Sequence, residues 1–217
     1  MVINMHNEFK TLAYLIKYIE KKLNGDMKLN RLMRYLTPYP YESKSPTYDE
    51  DSNAIINQPD ISNKLLKKFK RNKHKEYSEK CLYCRDSNME NYPVEEMPTI
   101  FVHPTFIYFG DKNNNPQGSY LIRFAVTCSA KQREMWDEND IPTDRLFEIG
   151  QRISDLFRDK SVEDENIAKL CGTALEFKFT TAGCQPERYS KQTDITVLPI
   201  TFRVRYVDVP ITNRKTL

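Results

Sequence analysis

The sequence predicts an α+β domain: a two-layer sandwich in which a mostly antiparallel four-stranded sheet carries two helices on one face, with a long irregular insertion. Three observations predict it. Apolar residues recur at helical spacing near the start of the chain and again after Pro142; they alternate with polar residues in several stretches after Pro98; and neither period holds between Lys28 and Pro98. Each alternating strand offers one apolar face and each helix one apolar stripe, so both helices are expected to cover the same side of one sheet.

The first helix is expected over Asn7 to Leu23, where Phe9, Leu12, Ala13, Ile16, Ile19 and Leu23 fall at three- and four-residue spacing. Asn7 is the candidate cap and Asn24-Gly25 the left-handed stop. Lys10, Lys17, Glu20 and Lys21 lie on the opposite, solvated face.

From Lys28 to Pro98, Pro38, Pro40, Pro46 and Pro59 with interleaved tyrosines break the chain into turns and extended pieces. A stretch of that length without a sheet signal reads as an insertion or arm. The organisation expected is therefore 1–27 as the N-terminal helix of the domain, 28–98 as the arm, and 99–217 as the main part.

After Pro98 the period becomes two. Thr99 to Phe109 reads as a strand in which Pro104 marks a bulge or an edge position. Ser119 to Ala130 completes a hairpin, with Tyr120, Ile122, Phe124, Val126 and Cys128 facing one way. A second amphipathic helix follows, capped by Thr143 and carrying Leu146, Ile149, Ile153, Leu156 and Phe157. Beyond the acidic loop at Val162 to Glu165, Ala174 to Thr181 and Thr193 to Asp208 alternate as a last strand pair.

Composition narrows the chemistry. Hydrophobic residues make up 39% of 217 residues, and no stretch approaches the roughly 18 apolar residues of a spanning helix. Six glycines supply neither GxGxxG nor GxxxxGK[ST], which argues against nucleotide sites of those two kinds. A net charge of +3 is too even to announce a nucleic-acid partner. His6, His74 and His103 stand beside no nucleophile in a recognisable frame, and His103 reads as a packed or edge histidine. No cofactor and no catalytic residue are expected; a hydrolase would need a pocket joining His103 to a carboxylate.

The five cysteines follow an opening without the basic and apolar regions of a signal peptide, so reduced cytoplasmic thiols are expected, with Cys128 and Cys171 as small core residues. Cys81-Leu-Tyr-Cys84 has the spacing of half a zinc site, two thiolates presented from a turn. The other half is missing from the sequence, and a redox role lacks the expected strand-to-helix context.

The densest charge lies in the arm. Lys64, Lys67, Lys68, Lys70, Arg71, Lys73 and Lys75 occupy seven of twelve positions, while Ile61, Leu65 and Phe69 fall at four-residue spacing, as in a short basic helix with one apolar stripe. These cations suit phosphates or an acidic surface on an identical copy, for which the Asp137 to Asp140 and Glu163 to Glu165 loops are complements. Arg123, Arg203 and Arg205 are further candidates, on the polar face of the sheet.

The carboxy-terminal half resembles the tail terminator (tail completion) proteins of long-tailed bacteriophages and the related neck proteins. The likeness is carried by Ser119-Tyr-Leu-Ile-Arg-Phe-Ala-Val-Thr, Arg145-Leu-Phe-Glu-Ile-Gly-Gln-Arg-Ile, Ala174-Leu-Glu-Phe-Lys-Phe and Leu198-Pro-Ile-Thr-Phe-Arg-Val-Arg-Tyr-Val207, in the order helix, hairpin, helix, hairpin. It covers about half the chain. The resemblance implies a virion protein assembled in the host cytoplasm, forming a ring, usually of six subunits, that terminates the tail tube or joins it to the connector. Its partners would be tail-tube and neck proteins, with transient contact to DNA in the lumen and none with membranes. The alternative function is a nucleic-acid-binding module built on residues 64–75, with or without zinc at Cys81 and Cys84; no metal is otherwise expected.

Overall fold

The first helix, α1, spans Met5–Gly25, two residues longer than expected at each end. The computed structural model describes residues 5–36, 38, 40–41, 47–48, 54–55, 62–63, 65–66, 69–70, 77–78, 81–84, 97–109, 117–139, 141–171, 174–180, 184–189 and 194–206. Leu15, Ile16, Ile19 and Leu23 are buried along one stripe of α1, but Phe9, assigned to that stripe by spacing, is 78% exposed. Gly25 remains helical rather than forming a left-handed stop. The break comes one residue later, where extended Asp26 caps α2, Met27–Arg34, its carboxylate accepting from the Leu29 amide.

Helix α2 lies where the arm was expected to begin, and it is part of the core. Leu29, Leu32 and Met33 are buried, and so are Asn30, Arg31 and Arg34, whose polar side chains hid the helical period from the sequence. Short extended pairs follow: β1 (Thr47–Tyr48) with β2 (Ala54–Ile55), and β3 (Phe69–Lys70) with β4 (Tyr77–Ser78). Phe69 and Lys70 are thus strand, where the sequence suggested a basic helix.

The main sheet has six strands rather than four. Its order is β10 (Leu175–Thr180), β12 (Ile195–Tyr206), β7 (Gln117–Ser129), β6 (Thr99–Phe109) and β5 (Leu82–Cys84), with β11 (Glu187–Arg188) also on β12. All pairs are antiparallel except β5 with β6. The β6–β7 hairpin runs in unbroken register from Thr99 opposite Thr127 to Phe109 opposite Gln117, so Pro104 makes no bulge.

The prolines fall where the ladder has no use for an amide. Ile100 donates its amide to Cys81, so the even residues of β6 direct their backbone groups toward the β5 side. Pro104 belongs to that set and lies beyond Val102, where the pairing with β5 ends. Pro199 sits in the interior strand β12, between Val197, the last partner of β11, and Thr201, the first partner of β10. Its missing donor therefore interrupts no rung.

Short elements join the hairpin to the second long helix. These are α3 (Ala130–Arg133), then β8 (Glu134–Trp136) paired with β9 (Pro142–Asp144), then α4 (Arg145–Phe157). Asp144, not Thr143, caps α4 by accepting from the Leu146 amide; the Thr143 hydroxyl donates to Glu148 instead. Helix α5, Glu165–Cys171, occupies the end of what read as an acidic loop, and Asp164 accepts from the Asn166 and Ile167 amides to start it.

One buried cluster unites these elements. Leu15 and Ile19 of α1, Leu29 and Leu32 of α2, Leu146, Ile149, Ile153 and Phe157 of α4, and Ile167 of α5 pack with Ile100, Tyr120, Ile122, Phe124, Phe177, Phe202 and Val204 of the sheet. The ring of Phe157 lies 5.4 Å from that of Phe124 and 4.9 Å from that of Phe177, centroid to centroid. Leu65, Cys81, Leu82 and Met97, all within residues 28–98, belong to the same cluster. The amides of Cys81 and Leu82 both donate to the Leu65 carbonyl, at 3.0 and 3.1 Å, and so fasten β5 beneath α1.

A candidate basic face on the sheet

Side chains alternate across a strand, so residues whose neighbours enter the core face the other way. That second face changes character along its length. At one end Tyr83, Phe101, Ala125, Ile195 and Val197 form a separate apolar cluster, with the Tyr83 and Phe101 rings stacked at 5.4 Å. At the other end it is basic. Register places Arg203 of β12 opposite Lys178 of β10, Arg205 opposite Glu176, and Arg123 of β7 opposite Thr201 on one side and His103 on the other.

Arg123, Arg203 and Arg205 are exposed, and these sheet candidates are brought onto one surface. Directly opposed side chains lie about 5 Å apart and diagonal ones about 7–8 Å, so Arg123, Lys178, Arg203 and Arg205 form one patch of cations. Two carboxylates temper it. Lys178 Nζ sits 2.8 Å from Glu176 and 2.9 Å from Asp159, and Arg205 approaches Glu176 at 3.6 Å. Hydrogen bonds first to Glu176 and then to Asp159 raise the Lys178 pKa, while Lys178 holds Asp159 below its usual range. The patch presents planar guanidinium forks suited to phosphates or carboxylates on a second surface.

Lys178 was not among the residues singled out by sequence. Its alternation with Phe177 and Phe179 placed it on the polar face, but only the register of β10 against β12 makes it a neighbour of Arg203. His103 reaches the patch in the same way and stacks on Phe101 at 6.3 Å between centroids.

The basic stretch of the arm is placed less fully. Lys64, Lys67, Lys68, Arg71, Lys73 and Lys75 lie outside the described residues, and of Lys70 only the backbone, in β3, is described. The acidic loops proposed as its complement make contacts within the chain. Asp137 accepts from the Asn139 and Ile141 amides, which lowers its pKa; Glu138 pairs with Lys28 at 2.6 Å; Glu165 approaches Lys169 at 3.7 Å.

The paired thiols differ from the expected turn. Leu82–Cys84 is strand, and three residues of extended chain separate Cys81 from Cys84 by about 10 Å. Burial pushes the Cys81 thiol up to about 11, and it donates to the Leu65 carbonyl. Among the described residues no three His, Cys, Asp or Glu side chains cluster as a metal site.

No protein-family model, curated protein or solved structure matches the chain. Among the described residues no helix is long and apolar enough to cross a membrane.

Proposed function

We propose that the chain is a structural virion protein that assembles into a ring, six subunits in the simplest case, at the tail end or head-tail junction of a bacteriophage. The observation that carries this reading is the gathering of α1, the β6–β7 hairpin, α4 and the β10–β12 pair around one sheet whose outer face bears Arg123, Lys178, Arg203 and Arg205. Helices and sheet act as two layers, the helical layer facing neighbours and the basic face meeting tube, connector or passing DNA. A ring of this kind terminates or joins the tube without chemistry of its own.

The direct test is the native mass of the purified protein across concentration. A closed oligomer supports the ring; a monomer at every concentration rejects it.

The same basic face favours a second reading, a nucleic-acid-binding module. Phosphate contacts of this type weaken steeply with salt and carry no sequence information. Binding to duplex DNA that falls with rising salt, and is lost in Arg123→Glu with Arg203→Glu, selects this module when the protein is a monomer.

A further inference from the structure

Helix α1 leaves an unusual surface outward. At 100° per residue, Phe9, Ala13, Tyr14, Lys10, Lys17 and Lys21 fall within an arc of about 140° opposite the buried stripe. Phe9 is 78% and Tyr14 38% exposed, and the lysines beside them are exposed as well. Two exposed aromatics among cations on one solvent face form a surface that suits a partner.

A groove of matching character lies beside α4. It measures about 380 Å³ and is lined by Phe147, Gly150, Ser154, Phe179, Leu198 and Ile200. Gly150 lets α4 approach β12 closely at the groove's floor, since a Cβ there would stand 2.6 Å from the Leu198 side chain. Phe147 is 48% exposed at its rim, and the Arg158 guanidinium sits over the Phe179 ring at 4.7 Å. The outward face of α4 carries Glu148 and Asp155, opposite in sign to the lysines of α1, and Arg152, whose charge is taken up by Asp26.

These two surfaces cannot meet within one molecule. Thr11, half a turn from Phe9, meets Cys171 at 3.6 Å and lies at the Tyr120 hydroxyl, which bonds Tyr206 at the end of β12. The groove opens at Leu198 on the same strand, eight residues away, or about 26 Å.

We propose that α1 of one copy docks in the α4 groove of the next, Phe9 entering beside Phe147 and Phe179 while Lys10 and Lys17 face Glu148 and Asp155. The occupant is a second copy of this chain, because the apolar and charged features of the two surfaces complement each other. The contact joins different patches, so it is heterologous and propagates until rotation closes a ring. This inference rests on the self-assembly reading above and names the surfaces that would perform it.

Sedimentation velocity on wild type, Phe9→Glu, Phe147→Glu and an equimolar mixture of the two variants tests it. Wild type should form the closed oligomer and each variant should remain a monomer. The mixture should stop at a one-to-one dimer, since each variant keeps one sound surface. Variants that assemble like wild type, or a mixture that stays monomeric, overturn the docking while leaving the ring intact; a monomeric wild type overturns both. A second set guards against misfolding: Lys10→Glu with Lys17→Glu should weaken association at least roughly tenfold, and adding Glu148→Lys and Asp155→Lys in the same chain should restore it. Failure of that restoration counts against the pairing.

Discussion

Arg145 donates from Nη1 to the carbonyl of Leu32 at 2.8 Å, joining the start of α4 to the end of α2 across 113 positions of sequence. The same guanidinium reaches the Tyr35 carbonyl at 2.9 Å and, through Nε, the Gln132 carbonyl at 2.7 Å, all with no exposure to solvent. A buried cation is held here by backbone carbonyls, which places α2, α3 and α4 at fixed distances. Arg145→Leu should strand these acceptors and destabilise the fold by about 3–5 kcal/mol. Arg145→Lys should recover little, since a point charge lacks the planar fork. Urea denaturation midpoints measure both.

Gly150 poses two opposed effects. Replacing it with Ala removes a helix penalty of about 1 kcal/mol, but the new methyl meets Leu198 at 2.6 Å and Ile200 at 3.3 Å, an overpacking that costs about 1–3 kcal/mol. Leu198 is 5% exposed and has little room to give way. Gly150→Ala should therefore lower stability by about 1 kcal/mol, whereas Gln151→Ala on the exposed face should be close to neutral. Paired chemical denaturation curves distinguish them.

Two buried thiols make stability depend on alkaline pH. Burial pushes Cys81 up to about 11 and Cys128 up to about 12, from an unfolded value near 9.0. Below pH 9 the thiols are protonated in both states and their contribution is complete. Between pH 9 and about 11 only the unfolded chain ionises them, so stability should fall with rising pH by about 1 kcal/mol per unit for each thiol. Midpoints compared at pH 8 and pH 10 should show the loss, and Cys81→Ala should reduce its slope.

Arg203 and Lys178 are like charges placed directly opposite each other. Lys178 already pairs with Glu176 and Asp159, so Arg203→Glu should leave stability within about 0.5 kcal/mol of wild type. If the basic face meets phosphates or a neighbouring protein, the same substitution should weaken that association. A thermal midpoint close to that of wild type with an association shift downward is the expected pair of results; a loss of both would show that Arg203 serves the fold instead.

The sequence disclosed the elements whose burial is one-sided. Tyr120, Ile122, Phe124, Val126 and Cys128 alternate cleanly because β7 places all five in the core, and the stripe of α4 is equally plain. It concealed α2, where Asn30, Arg31 and Arg34 are buried beside the apolar residues, and α5, where Ile167 is the fully buried residue that could signal a period. The cap moved from Thr143 to Asp144 because both residue types can accept an amide and only local geometry chooses between them. Of the basic face, alternation offered Arg203 and Arg205, but Lys178 and His103 join them through strand order, which no local pattern encodes.

The two hydrogen bonds from the Cys81 and Leu82 amides to the Leu65 carbonyl hold the two ends of the intervening stretch at one spot. A detour whose two ends are tied together behaves as a replaceable cassette. Doubling the length of such a loop raises its closure cost by only about 0.6 kcal/mol, so a change of length between Leu66 and Cys81 should disturb the anchored ends little.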